Sequence, residues 1–273
     1  MIKRLARNRR AVIGAVVLIV VIFAAVFAPD VATHDPTYQD LPARLQPPSS
    51  RHWLGTDDLG RDVFSRIVHG GRISLMLGFV SVGIGLTIGG LIGITAAYYG
   101  GWWDSGVMRL VEFLQAIPSL LLAIAIVASL GPGITNAMIA IGIGSVPAYA
   151  RVIRSVVLTI RELEYVQSAK AAGANDLRIM ARHILPNSLA PIIVQSTLGL
   201  ASAILTAAGL SFLGLGAQPP SPEWGAMLAQ SRAFVRLAPH VVAYPGLIIL
   251  VTVLSLNLVG DGLRDVLDPR LKQ

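Results

Sequence analysis

The sequence predicts an all-α protein, a polytopic membrane bundle of six transmembrane helices. Three observations carry that prediction. Hydrophobic residues fill 54% of the 273 positions and charged residues only 14%, about half the charged share of a soluble domain, and mean hydropathy is +0.67. The apolar residues are gathered into runs long enough to cross a bilayer, separated by polar links. The positive charge is also clustered, with five of the 22 Lys and Arg residues in the first ten positions and six more between Arg151 and Arg182. Such clustering marks segments on one side of a membrane rather than a nucleic-acid-binding face. Membrane lipid is therefore an expected partner and nucleic acid is not. With no cysteine, disulfides, thiolate nucleophiles and cysteine metal sites are excluded.

The first run, Ala11 to Ala28, has 18 residues and rises about 27 Å as a helix, close to the hydrocarbon thickness. It is longer than a signal-peptide core, and Pro29 follows the one plausible cleavage point, so an uncleaved helix is expected. The second span is expected over Ser74–Tyr99. Within it Gly85, Gly89 and Gly93 recur every four residues, the spacing that lets a neighbouring helix approach closely. The third is expected over Val107–Leu130, with Pro118 inside it and Arg109 and Glu112 in position for an i, i+3 contact. The fourth, Ile134–Leu158, is interrupted by Pro147 and Arg151. The fifth is Leu189–Leu215 and the sixth Val241–Val259.

Between the first two spans, Val63, Phe64, Ile67 and Val68 are expected to face lipid or protein, and Arg61, Asp62, Ser65 and Arg66 water. Glu223 and Trp224, after "PPSP", read as an interfacial loop, and Asp261, Arg264, Asp265 and Asp268 as a solvated terminal face. Residues 1–73 form an N-terminal tail, first helix and external segment, and 74–273 the main bundle, with a polar loop at 151–188. Six spans place both termini on one side. The N-terminal tail carries +5, residues 29–72 carry −1 and residues 151–186 carry +3. The positive-inside rule makes the termini and the polar loop cytoplasmic.

That loop, "EYVQSAKAAGANDLRIMARHILPNSLAP" from Glu164, reads as two short helices. The first is expected over Arg161–Ala172, with Gly173 as its C-cap. Asn175 caps the second, whose apolar stripe is Leu177, Met180, Ala181 and Ile184, with Arg178 and Arg182 opposite and Pro186 ending it. At the bend Ser168, Ala169, Ala171, Ala172, Gly173 and Ala174 are all small, with Lys170 the one long side chain. A narrow elbow flanked by an apolar stripe and cations suits docking into a groove on another protein.

"QSAKAAG" followed by "HILP" resembles the EAA loop of the membrane subunits of bacterial ABC importers. Gln167, Ser168 and Ala169 stand at its Glu-Ala-Ala, Gly173 at its glycine, and Leu185 and Pro186 at its Leu-Pro. Gln167 replaces the usual Glu, which puts a charge-dependent contact in doubt, and His183 takes a usual hydrophobic position. "HWLGTDDLGRDVFSRIVHGGRISL", "LSFLGLGAQPPSPEWG" and "NLVGDGLRDVLDPR" are similar to segments of the subfamily that imports dipeptides, oligopeptides, glutathione or nickel. The resemblance implies a type I ABC importer permease fold in the bacterial cytoplasmic membrane. Its implied partners are a second related permease, two ABC ATPase subunits that hold ATP and Mg, and an extracytoplasmic substrate-binding protein. Di- or oligopeptides are the implied cargo, with glutathione and nickel as alternatives. The implied ATPase contact comprises Gln167, Ser168, Ala169, Lys170, Ala172, Gly173, Arg178, Arg182, Leu185 and Pro186.

No cofactor is expected in the chain itself. Lys3, Lys170 and Lys272 are its only lysines and none follows a glycine, so a Walker-type phosphate loop is absent. His52, Asp57, Asp58, Asp62 and His69 have metal-ligating side chains but read as an ordered external segment, and no metal is expected. An ion-coupled secondary transporter would need carboxylates near mid-bilayer. An intramembrane enzyme would need polar groups converging within the spans. Neither pattern stands out, and no catalytic residue is assigned.

Overall fold

A computed structural model describes residues 8–267. The charges at Lys3, Arg4 and Arg7, with Asp268 and Lys272, lie outside the described residues. The described chain is helical, and only an isolated bridge between Thr56 and Asp62 has extended pairing. Helix α1 spans Arg9–Val26, capped by the Asn8 side chain, and a short α2 (Ala28–Val31) follows it. Residues 32–62 form a folded loop with a 3-10 turn at Leu41–Ala43. Helix α3, Val63–Tyr99, has 37 residues, about 55 Å of rise against a hydrocarbon layer of about 30 Å. It begins eleven residues before the expected start and runs unbroken through residue 74.

The expected third span is not one helix. Residues Gly101–Gln115 (α4) and Ser119–Leu130 (α5) meet at 88°. Pro118 lacks the N–H a continuing helix requires, so the break falls there. Helix α6 (Ile134–Ile160) carries Pro147 without interruption. Next come α7 (Glu164–Ala171), α8 (Asp176–Arg178), a π-helical turn at Ile179–Ile184, and α9 (Leu185–Phe212). The chain finishes with α10 (Trp224–Ser231) and α11 (His240–Leu267). Among the described residues five helical segments are long and apolar enough to cross a membrane, or six if the bent α4–α5 pair is counted as one span.

Small residues bring α3 and α6 together. A Cβ on Gly89 would lie 2.6 Å from the Val146 carbonyl, and one on Gly93 2.6 Å from the Ala150 carbonyl. At Gly85 it would run into Ser145. Helix α1 seats Gly14 against Ser255 and Leu258 of α11. Leu18, Val21 and Ala25 of α1 join α3, α9, α10 and α11 in one buried cluster. Many outward apolar side chains, such as Ile19 at 65% and Leu91 at 62% exposure, face where lipid would lie.

Contacts sort the connections onto two ends of the bundle. At one end the 32–62 loop meets residues 216–240: Arg61 donates from Nη2 to Gln230 (3.1 Å), and His240 Nε2 lies 3.3 Å from the Thr56 carbonyl. At the other end, Arg154 makes a two-pronged bond to Asp104 (2.6 Å each). The Asn8 side chain reaches Asp265 at 3.4 Å, so the two ends of the described chain are neighbours.

The first of these ends corrects the amphipathic reading. Arg61, Asp62, Ser65 and Arg66 are buried, none more than 2% exposed. Each finds a protein partner in place of water. Asp62 caps α3, accepting from the Ser65 N–H (2.8 Å), and its other oxygen lies 2.9 Å from His52 Nδ1. Arg61 donates to Asp57 at 2.7 Å, and Arg66 donates to the Pro36 carbonyl at 3.0 Å. Glu223 and Trp224 are likewise not an interfacial loop, since both are 1% exposed. Glu223 caps α10 through the Gly225 and Ala226 N–H groups (3.0 and 2.8 Å) and accepts from Ser74, while the Trp224 indole donates to the Ile67 carbonyl at 2.9 Å. Asp62 and Glu223 are buried because they complete helix ends, and the others because the chain supplies them a carboxylate or a carbonyl. Arg109 and Glu112 are exposed and no ion pair joins them. Asp104 holds Arg154 in that neighbourhood.

Candidate functional site

The polar loop begins where α6 ends at Ile160. Arg161 turns back and donates from Nη1 to the Ala97 carbonyl at the end of α3. Gln167 donates from Nε2 to the Arg161 carbonyl at 2.8 Å. A carboxylate only accepts, so this bond is specific to the amide that stands where the resembling family has Glu. Helix α7 starts at Glu164, three residues after the expected start. It stops at Gly173, where φ is +81°, with the Ala174 N–H bonded to the Ala169 carbonyl at 3.1 Å. The left-handed conformation costs a side chain and suits glycine. Asn175 then accepts from the Arg178 N–H at 2.8 Å, capping α8.

The second half of the loop differs from the expected helix in two ways. Pro186 does not end it. Pro186 is the second residue of α9, just after the π turn, and the helix runs on through it. The chain is therefore continuous from Asp176 to Phe212. The expected stripe of Leu177, Met180, Ala181 and Ile184 holds only in part: Ile184 is buried and Met180 packs beside it, whereas Leu177 and Ala181 are exposed. Ile179 and Ile184 are the fully buried pair, five positions apart as the π turn dictates. They pack with Val166, Val157, Ile160, Ala97 and Ile192. Leu177 is turned outward and is 73% exposed.

The remaining candidate residues form an open surface. Gln167, Ser168, Lys170, Ala172, Gly173, Arg178 and Arg182 are exposed, with Leu185 and Pro186 beside them, and Ala169 is partly covered. A Cβ added at Gly173 would meet no atom within 4 Å, so the space around the elbow is empty. Lys170, Arg178 and Arg182 take part in none of the ion pairs found among the described residues. Tyr98 ties this surface to the bundle, donating to Asp176 at 2.8 Å. The sequence reasoning missed that tie. Its signal was a tyrosine ending a long span opposite an acidic residue opening a short helix.

The metal-type residues do not assemble as a set. His34, His52 and Asp62 bring donor atoms within 4.8 Å of one another, whereas Asp57 pairs with Arg61 and His69 lies on the Ser65 carbonyl. Asp62 Oδ2 already accepts from the Ser65 N–H and hydroxyl (2.8 Å each). The arrangement acts as a helix cap. Gly85, Gly89 and Gly93 are remote from the loop, on the α3–α6 contact.

Comparisons with known proteins agree with this architecture. Residues 89–273 match the family described as binding-protein-dependent transport system inner membrane component, and residues 1–48 match the N-terminal TM domain of oligopeptide transport permease C. The chain is 51% identical over 270 residues to the dipeptide transport system permease protein DppC of Alkalihalophilus pseudofirmus, covering 99% of this chain and 89% of that one. It is 48% identical over 271 residues to the glutathione transport system permease protein GsiD of Pectobacterium atrosepticum, covering 99% and 90%. In fold it is similar to the inward-facing MetNI methionine ABC transporter, with a TM-score of 0.62 at 20% identity over 74% of this chain and 96% of that one.

Proposed function

The chain belongs to the binding-protein-dependent transport system inner membrane components, the permease subunits of ABC importers, and from that premise we propose that it carries di- and oligopeptides inward. The observation that carries this reading is the exposed elbow at residues 167–173, where Lys170 and small side chains stand open, with the unpaired Arg178 and Arg182 farther along the loop. In this reading an ABC ATPase subunit receives the elbow in a groove, and a second ATPase serves a related partner permease. ATP and Mg reside on the ATPases, and this chain holds no catalytic residue. A substrate-binding protein delivers cargo to the opposite end, where the 32–62 loop sits.

ATP-driven closure of the ATPases pushes on the elbow. Tyr98–Asp176 and the continuous 176–212 helix pass the displacement into the bundle. The neighbouring Asn8 and Asp265 support placing both termini at the loop end, and the positive-inside rule makes that end cytoplasmic. Similarity to DppC favours peptides as cargo, while the similarity to GsiD keeps glutathione as a second reading. Proteoliposomes holding the complete importer should accumulate labelled alanyl-alanine only with internal ATP and external binding protein. Uptake driven by an ion gradient without ATP would sink the proposal. Competition by glutathione would decide between the two cargoes.

A further inference from the structure

We propose that two adjoining cavities along α9 form one cargo groove, whose upper chamber reads the amide backbone of a passing peptide through uncharged groups. This rests on the peptide-permease reading and deepens it. The upper chamber, about 410 Å³, lies between α3, α5, α6 and α9. A second cavity of about 430 Å³ continues toward the loop end, between α6, α9 and α11, reaching Val152, Pro191 and Arg264. Gln195 and Leu198 line both. From Ala190 to Thr206 helix α9 rises about 24 Å, most of the hydrocarbon thickness. Two open clefts that share Gln195 and Leu198 along a single helix face make a continuous groove rather than isolated packing faults.

The lining chemistry is specific. None of the 13 residues around the upper chamber is Asp, Glu, Lys, Arg or His. The polar groups are Ser119, Ser145, Tyr149, Gln195, Ser202 and Thr206. The Tyr149 side chain is buried, at 1% exposure, and its hydroxyl has only the Ser196 hydroxyl beside it, with neither atom in a well-formed hydrogen bond. That hydroxyl lies against Gly199, another lining residue, where a Cβ would not fit. A buried hydroxyl without a well-formed hydrogen bond is unusual, and a peptide N–H or C=O arriving in the chamber would supply one. Hydroxyls and the Gln195 amide both donate and accept. They therefore match the amide groups that every short peptide carries and are indifferent to the side-chain charge that varies between peptides. A fixed charge in the chamber would instead bind one class and repel another.

The test uses the complete importer in proteoliposomes with labelled alanyl-alanine, lysyl-alanine and aspartyl-alanine. The double variant Gln195→Leu, Thr206→Val keeps the shape of the chamber and removes two of its six polar groups. Uptake of all three peptides is expected to fall by a common factor of about ten. Unchanged uptake, or a fall confined to one charge class, overturns the proposal. Ser202→Trp fills the chamber and is expected to stop uptake while the purified complex keeps its subunit ratio. Loss of the partner permease from that complex would make this face a subunit contact and also overturn the proposal. If the wild-type importer takes up none of the dipeptides, the peptide reading fails. Labelled glutathione, which has amide bonds of its own, then tests the groove alone with the same variants.

Discussion

The 32–62 segment and the 161–186 loop are both polar stretches in an apolar chain, and they treat their charges in opposite ways. In the first, Asp57, Arg61, Asp62 and Arg66 are buried, and each is met by a helix end, a carbonyl or an opposite charge. In the second, Lys170, Arg178 and Arg182 stand exposed around a bend of small residues. One segment meets most of its buried charge within the chain, with His52 Nε2 and Arg66 Nε and Nη2 left without hydrogen bonds. The other has surface that nothing in the chain covers. A buried charge must be satisfied internally or the fold is lost, whereas an exposed charge contributes little to stability and is free to serve a contact with another molecule. The difference separates residues that hold the bundle together from residues left open at its surface.

Variants can break or sharpen that contrast, ranked here by cost to the isolated chain. Asp57→Ala leaves Arg61 and Arg66 buried without their carboxylate, and thermal unfolding in detergent should show a loss of about 3–5 kcal/mol. An unchanged melting temperature would mean that this end is not the self-sufficient one. Gly89→Val places side-chain atoms against the Val146 carbonyl, 2.6 Å from the new Cβ, and should cost about 1–3 kcal/mol through overpacking. Tyr98→Phe removes the single bond to Asp176 and should cost about 1 kcal/mol or less. Its effect on ATP-driven uptake should exceed its effect on melting, and equal effects would deny Tyr98 a part in transmission. Ala172→Trp, in unstrained backbone and facing solvent, should leave melting within about 0.5 kcal/mol of wild type. Co-purification of the ATPase should nevertheless drop sharply. Retention of the ATPase by this variant would count against docking at the elbow.

The spans were legible because lipid demands long apolar runs, and the runs were there to be counted. Their ends were harder to place. Helix α3 starts at Val63 because Asp62 caps it, but Asp62 sits among charges that periodicity assigns to water. Arg61 and Arg66 illustrate the same limit: their burial depends on the Asp57 carboxylate and the Pro36 carbonyl, and neither partnership is written in local spacing. Pro118 was visible as an interruption, yet an 88° break and a gentle kink give the same sequence signal. In the loop, the Gly173 turn and the Asn175 cap follow from residue type. The outward turn of Leu177 does not, because a stripe counted at 3.6 residues per turn assumes an α-helix and the chain there is wound more loosely. The cavity along α9 was invisible for a simpler reason. Serine, threonine and glutamine in a span look like ordinary tolerated polar residues until three other helices are placed around them.

That looser winding has a consequence for how subunits recognise each other. In an α-helix each residue advances the direction of a side chain by about 100°. The six residues Ile179–Ile184 therefore act as a phase offset between the elbow and helix α9. Removing one residue there would swing the elbow around the helix axis and break the packing of Ile179 and Ile184. Were an ATPase to dock at the elbow as proposed, its fit would then depend on angle as well as on elbow chemistry.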